Sequence, residues 1–222
     1  MDTNQRNRAA TTRRIVDALE QILSTDGLEG VGVGTIAEKA NVSKVLIYRY
    51  FGGIEGLLEY YVRLGRLVPH LTSALLEQIQ PVHPQDLATI WSTQVLKLFR
   101  QFRASRPARQ LLKATVKEKD PRAETISKNL DSELTSLVEQ LPFVEGGDHL
   151  AASAVILSAL SYLTIQAQND RPVVGIDLRS EEGWQRIEEA VKLIYTALNK
   201  VAMESSTTRM VLKPASVVPG LW

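Results

Sequence analysis

The stretch Thr35 to Phe51, TIAEKANVSKVLIYRYF, limits what this 222-residue chain can fold into more than any other. Thr35, Ile36, Ala37 and Ala40 place small and apolar groups at helical spacing, which predicts a first short helix. Asn41 follows, and asparagine tolerates the left-handed backbone that ends a helix. Val42 plugs the turn, and Ser43 is a good N-cap for a second helix over Lys44 to Tyr50. On that helix Ile47 and Phe51 share a side that can be buried. Val45, Tyr48 and Arg49 share the other side, with Lys44 and Leu46 at its margins. A solvated helix face seldom pairs a cation with a tyrosine and two aliphatics. A major groove accepts that mixture, because arginine or lysine bonds guanine or phosphate while aliphatic groups touch thymine methyls. The alternative open at this point is an αα-hairpin inside a helical core, with Val45 and Leu46 buried.

The flanks narrow the choice. Upstream, Thr12 to Asp26 repeats apolar residues at Ile15, Ala18, Leu19, Ile22 and Leu23, an amphipathic helix closed by Gly27. Downstream, Gly52-Gly53 breaks the chain before another apolar-striped helix, Ile54 to Leu71, through Leu57, Leu58, Tyr61 and Leu64. With these flanks, residues 10 to 62 resemble the DNA-binding domain of the tetracycline-repressor (TetR) family of bacterial regulators. The matching residues are Ile15, Gly27-Leu28, Thr35-Ile36-Ala37, Val42-Ser43, Ile47-Tyr48, Tyr50-Phe51, Glu55 and Leu57-Leu58. Three departures stand out. Asn41 replaces the family's usual turn glycine, Ile54 its lysine near the start of the fourth helix, and Gly53 its cap residue.

The resemblance implies an all-α protein: a three-helix reader with its arm at residues 1–53, a helical ligand-binding and dimerisation domain at 54–204, and an irregular tail at 205–222. It implies DNA contacts from Lys44, Val45, Tyr48 and Leu46 to bases. Arg49 and Tyr50 would take phosphates or the groove edge, and Ser43 and Thr35 the DNA backbone. The expected function is a cytoplasmic, ligand-responsive regulator, a repressor rather than an enzyme, that binds a palindromic operator as a homodimer and is released by a small effector.

Composition sets limits on that expectation. Formal net charge is only +1, so no bulk attraction to nucleic acid exists and the positive charge must be local. Arg6, Arg8, Arg13 and Arg14 supply it, as an arm able to reach phosphates or the minor groove. Cysteine is absent, which removes disulfides, thiol catalysis and cysteine-ligated zinc. The longest uncharged stretch, His149 to Asn169, is interrupted by Ser153, Ser158, Ser161, Gln166 and Gln168, and reads as a helix buried in protein rather than a membrane span.

Helical stripes run on to about Met203 and no strand-like alternation persists. Ala151 and Ala154 on the uncharged helix, with the seam Trp184, Ile187, Val191, Ile194 and Leu198 on the last one, are the expected dimer contacts in a four-helix interface. Core filling within one chain is the competing use of both stripes. Trp91, Gln94, Phe99, Phe102, Tyr162 and Gln166 are the aromatic and polar groups expected to line an effector cavity, the usual design being an apolar wall with few polar groups.

Two further signals carry less weight. Gly32 and Gly34 begin a G-x-G-x-x-A dinucleotide pattern, which would make the chain a nucleotide-binding enzyme. That motif needs a strand entering it, and a Gly27 turn stands there instead. His70, His83 and His149 lie far apart without ligand spacing, so no metal or cofactor is expected. The remaining rival is a helical small-molecule-binding protein that has lost its DNA activity.

Overall fold

The computed structural model describes residues 3–68, 77, 79–81, 83–117, 119–141, 143–144, 148–205 and 210–211. Among the described residues the architecture is all-α apart from one two-residue strand pair. The α-helices are α1 (Thr3–Thr25), α2 (Val33–Lys39), α3 (Lys44–Phe51), α4 (Ile54–Arg63), α5 (Asp86–Ala104), α6 (Arg106–Ala114), α7 (Pro121–Gln140), α8 (His149–Gln168) and α9 (Glu181–Ser205). Packing divides the chain into two compact units. Unit 1 joins Met1–Val68 with Gln101–Glu133, and unit 2 joins Pro69–Arg100 with Leu134–Trp222.

In unit 1, the α1 stripe predicted from sequence is the core: Ile15, Leu19, Ile22 and Leu23 are all buried. Gly27 ends the helix with φ +68, a left-handed conformation that side chains resist. A 3-10 turn, Leu28–Gly30, then leads into α2. Helix α6 packs against α1. Ser105 caps α6, accepting from the Ala108 N–H at 3.3 Å, and Pro107 lies in its first turn, where no helical N–H is needed.

Arg122 ties this unit together. Its Nη1 donates to the carbonyls of Leu28 at 3.1 Å and Val31 at 3.0 Å, and its other nitrogens hold Asp120 at 2.9–3.0 Å. The 3-10 turn before α2 is thereby clamped by one guanidinium. The same bonds hold the Asp120 carboxyl below the usual carboxylate range, since the Arg122 hydrogen bond favours its charged form. Lys117 adds an ion pair with Glu29 on the same turn.

In unit 2, Asp148 caps α8 by accepting from the Ala151 N–H at 2.9 Å. The 169–179 segment is a loop as expected, and Val173 and Ile176 pair across a turn whose Val174 and Gly175 both have positive φ. Trp184 is buried and its Nε1 donates to the Leu178 carbonyl at 2.7 Å. Strand β1 (Phe143–Val144) pairs antiparallel with β2 (Met210–Val211). The expected irregular tail therefore contains one paired segment; residues 206–209 and 212–222 lie outside the described residues.

Three expectations need adjustment. The basic arm is not a free extension, because α1 already begins at Thr3 and carries those arginines. The helix expected over Ile54–Leu71 stops at Arg63, with Gly65 at φ +70 shortly after, and Leu71 lies outside the described residues. Helix α8 is not enclosed: only 28% of its apolar window is buried.

Candidate functional site

The helix-turn-helix is built by backbone geometry that the residue types favour. Asn41 sits at φ +50, in the left-handed region the turn requires, and stands in for a glycine without breaking it. The Val42 N–H closes the turn on the Ala37 carbonyl at 2.9 Å. Ser43 occupies the N-cap position of α3 with extended backbone, φ −72 and ψ 146. Its hydroxyl makes no capping bond, so the cap contributes less than expected and the exposed hydroxyl stays available. Gly52 (φ +76) and Gly53 (φ +135) turn the chain into α4. A Cβ on Gly56 would lie 1.8 Å from the Phe51 carbonyl oxygen, so the close approach of α4 to the end of α3 demands glycine.

The faces of α3 divide as the wheel requires. Ile47 is fully buried and Phe51 half-buried, packed edge-on against Tyr60 at 5.2 Å. Val45 is 68% exposed and Tyr48 58% exposed, which removes the αα-hairpin alternative. Lys44, Arg49, Thr35 and Ser43 are exposed around them, while Leu46 and Tyr50 are half-buried. Tyr50 is held between two cations, with Arg8 at 5.2 Å and Arg49 at 5.5 Å from its ring centroid. Arg8 therefore joins the α3 surface, and Arg14 lies close by with Nη1 3.5 Å from the Asn41 carbonyl. An α1 arginine stacked on an α3 tyrosine needs chain folding to be seen. The Gly32–Gly34 segment holds no dinucleotide motif: a 3-10 turn enters it, and Gly32 caps the short α2.

Residues 15–61 match the model of the bacterial regulatory proteins of the tetR family. Residues 15–61 are a tetR-family domain. The fold beyond it also resembles that of solved regulators. The fatty acid degradation regulator FadR from Bacillus halodurans aligns with TM-score 0.58 and 20% identity, covering 83% of this chain and 97% of its own. A linker-substituted mutant of HlyIIR aligns with TM-score 0.50 and 16% identity, covering 77% of this chain and 94% of its own. No curated protein sequence matches the chain. A helix-turn-helix domain followed by a helical C-terminal region is thus the fold this chain shares with these solved regulators.

Unit 2 offers two features. The first is a cavity of about 150 Å³ lined by Leu87, Ala88 and Trp91 of α5, His149, Ala152 and Ser153 of α8, and Tyr195, Leu198, Asn199 and Ala202 of α9, with Asp148 at its edge. Of the six expected ligand residues only Trp91 lines it. Phe99 and Phe102 are fully buried as core, Gln94 and Gln166 are half-buried elsewhere, and Tyr162 is 53% exposed on the outer side of α8. Trp91 stacks on Tyr195, centroids 6.1 Å apart and planes at 23°. Tyr195 was not singled out by sequence, because its spacing reads as plain core.

The second is an apolar outer face. On α8 it presents Ala151, Ala154, Val155, Ala159 and Tyr162, and on α9 Leu193, Ile194, Leu198 and Val201. The α9 seam expected from sequence splits here. Trp184 and Val191 turn inward and are buried, and Ile187 is half-buried. Ile194 and Leu198 look outward with Leu193 and Val201. Positions 193, 197 and 201 form an i, i+4, i+8 stripe adjacent to the one chosen, a signal that was present but narrower than the Trp184 stripe.

Proposed function

We propose that this chain is a DNA-binding transcriptional regulator, not an enzyme, which represses as a homodimer on a palindromic operator and is released by a small effector. The observation that carries the reading is the outward α3 face: Val45 and Tyr48 stand exposed above a buried Ile47, ringed by Lys44 and Arg49. Base reading falls to Lys44, Val45, Leu46 and Tyr48. Phosphate contacts fall to Arg49, Tyr50, Thr35 and Ser43, joined by Arg8 and Arg14. The free N–H groups at the start of α4, behind Gly53, offer another phosphate contact where the family has a lysine.

One eight-residue helix reads few base pairs, so specificity needs two copies, with recognition helices about 34–36 Å apart on one face of the duplex. The apolar face of α8 and α9 supports that pairing, since an uncharged helix this exposed must be covered. Effector response is assigned to the unit 2 cavity. Helix α5 supplies Leu87, Ala88 and Trp91 to its wall, and the same helix ends in unit 1 at Gln101–Ala104. A ligand lowers operator affinity only by binding the DNA-incompetent state more tightly.

Selection of bound duplexes from a random pool tests the reading. Enrichment of an inverted repeat, with affinity that falls steeply as salt rises, is the expected result. A pool that emerges unenriched at low salt leaves only a helical small-molecule-binding protein.

A further inference from the structure

We infer that Arg122 is a positioning residue for DNA reading: it fixes the direction in which the chain enters α2, and with it the pose of the α2–α3 pair against a duplex. The inference rests on the DNA-binding reading above. Three observations carry it.

The first is how little the entry to α2 holds itself. Gly30 and Gly32 flank Val31, and Gly32 occupies the N-cap position of α2 with no side-chain capping bond. Helix α2 has seven residues, and isolated helices shorter than roughly 12–15 residues are marginal. Leu28, Val31, Ile36 and Ala37 are buried and anchor the segment. Burial is non-directional, so these anchors set the depth of the turn and leave it free to pivot. Direction must come from hydrogen bonds.

The second is where those bonds originate. Arg122, at the start of α7, donates from Nη1 to the Leu28 carbonyl at 3.1 Å and to the Val31 carbonyl at 3.0 Å. The Leu28 carbonyl also accepts from the Val31 N–H at 3.1 Å. The guanidinium therefore matters most at the Val31 carbonyl, next to Gly32. The third is that the fork is set before it meets the turn. Asp120 Oδ1 accepts from the Arg122 backbone N–H and from Nε, each at 3.0 Å, and Oδ2 accepts from Nη2 at 2.9 Å. A planar fork gripped on one edge has its other edge aimed. Among the described residues no hydrogen-bond partner of Arg122 lies on α3, so its effect on reading passes through pose. The buried anchors outweigh one fork, so unit 1 stays folded without it.

The test compares the parent with Arg122→Ala, Arg122→Lys and Trp184→Phe on a selected operator and on random duplex, well below every melting temperature. Arg122→Ala should lose about tenfold in operator affinity, as when the reading pose is held about a tenth of the time. On random duplex it should lose less than about twofold, because phosphate contacts tolerate a looser pose. Its salt slope should equal the parent's, since no phosphate contact is lost. Arg122→Lys should lose nearly as much, because an ammonium lacks the planar fork that spans a carboxylate and two carbonyls. Trp184→Phe, weakened inside unit 2, should keep the parent's discrimination. Relaxation dispersion without DNA should show microsecond-to-millisecond exchange at the amides of Gly32 to Lys39 in Arg122→Ala, absent from the parent and from Leu19 and Ile22 of α1. Equal losses on operator and random duplex, a salt slope shallower by about 0.9 per subunit, or Arg122→Lys reading like the parent would each overturn the inference. So would lost discrimination in Trp184→Phe, or an α2 that stays quiet in Arg122→Ala. A parent that selects no duplex overturns the DNA-binding reading instead, and the relaxation experiment then decides by itself whether Arg122 fixes α2.

Discussion

Two of the surfaces on which the described residues expose apolar side chains, one on α3 and one on α8 and α9, differ in the charge around them. On α3, Val45 and Tyr48 are flanked by Lys44 and Arg49, with Arg8 of α1 stacked on Tyr50 close by. On α8 the exposed apolar residues have no charged neighbour in their own helix, since His149–Gln168 contains no Asp, Glu, Lys or Arg. An apolar group set among cations suits a polyanion whose grooves carry methyl groups and acceptors. A broad uncharged face suits a surface like itself. Burial alone would have classed both as defects of a single chain. Charge separates them into the face proposed for DNA and the face proposed for a second subunit.

The largest effect should come from charging the second surface. Val155→Glu with Leu193→Glu places two carboxylates where two exposed apolar side chains now stand. Each such side chain contributes roughly 1.5–3 kcal/mol when covered, so self-association should weaken by about a hundredfold or more. Sedimentation at micromolar concentration should then report monomers with native helicity. Dimers that survive both changes would move the interface off α8 and α9 and end the comparison. Trp184→Phe is the control: Trp184 is inside unit 2, so it should lower the melting temperature and leave the dimer constant unchanged.

Charging the first surface is not needed; truncation suffices. Tyr48→Ala removes a 58%-exposed ring. Specific operator affinity should fall by about ten- to a hundredfold, the worth of one good base contact, while the melting temperature and non-specific binding stay level. Unchanged discrimination between operator and random duplex would strip α3 of its reading role.

A smaller effect tests what presents the first surface. Arg122 clamps the turn before α2 through the Leu28 and Val31 carbonyls, and Asp120 holds Arg122. Arg122→Ala leaves the Val31 carbonyl without that donor, while the Leu28 carbonyl still accepts from the Val31 N–H, and should cost about 1–3 kcal/mol of stability. The Asp120 carboxyl has its folded pKa below its unfolded value of about 3.9, so its contribution is present above about pH 4 and is lost as pH falls below that. Asp120→Asn should flatten that acid limb in melting curves taken from pH 5 to pH 2.5. An acid limb identical to the parent's would remove Asp120 from the clamp.

The helix-turn-helix was legible because its demands are local. A left-handed residue at 41, a cap at 43, glycines at 52 and 53 and a period of 3.6 all lie within a few residues of one another. The α1, α5 and α8 helices were legible for the same reason. What escaped depended on partners distant in sequence. Arg122 meets Leu28 and Val31 more than ninety positions away, and no periodicity announces a guanidinium clamp. Tyr195 and Trp91 make a stacked wall only once α5 and α9 are packed. On the α9 seam Trp184 and Val191 are buried while Ile194 and Leu198 are exposed, and because both stripes are apolar, amphipathicity could not say which one met the unit's own core. Likewise the expected boundary at Gly53 followed covalent order, whereas the compact unit containing the reader also takes in Gln101–Glu133.

The smallest effect concerns the margin of the first surface. Arg8 is exposed and lies 5.2 Å from the Tyr50 ring, in a helix where it had been expected as part of a loose arm. If its stack on Tyr50 only steadies α3, Arg8→Ala should lower operator affinity equally at every salt concentration. If it meets a phosphate, the slope of log affinity against log salt should shallow by about 0.9 for each subunit, and the loss should be the same for operator and random duplex. We expect the second pattern, with less than tenfold lost near physiological salt. Arg8→Lys separates the two roles further, because an ammonium keeps the phosphate contact and the salt slope but stacks less well than a planar guanidinium. A slope that neither substitution moves would assign the residue to the protein's own packing, and the cationic border of the proposed DNA face would then begin at Lys44 and Arg49.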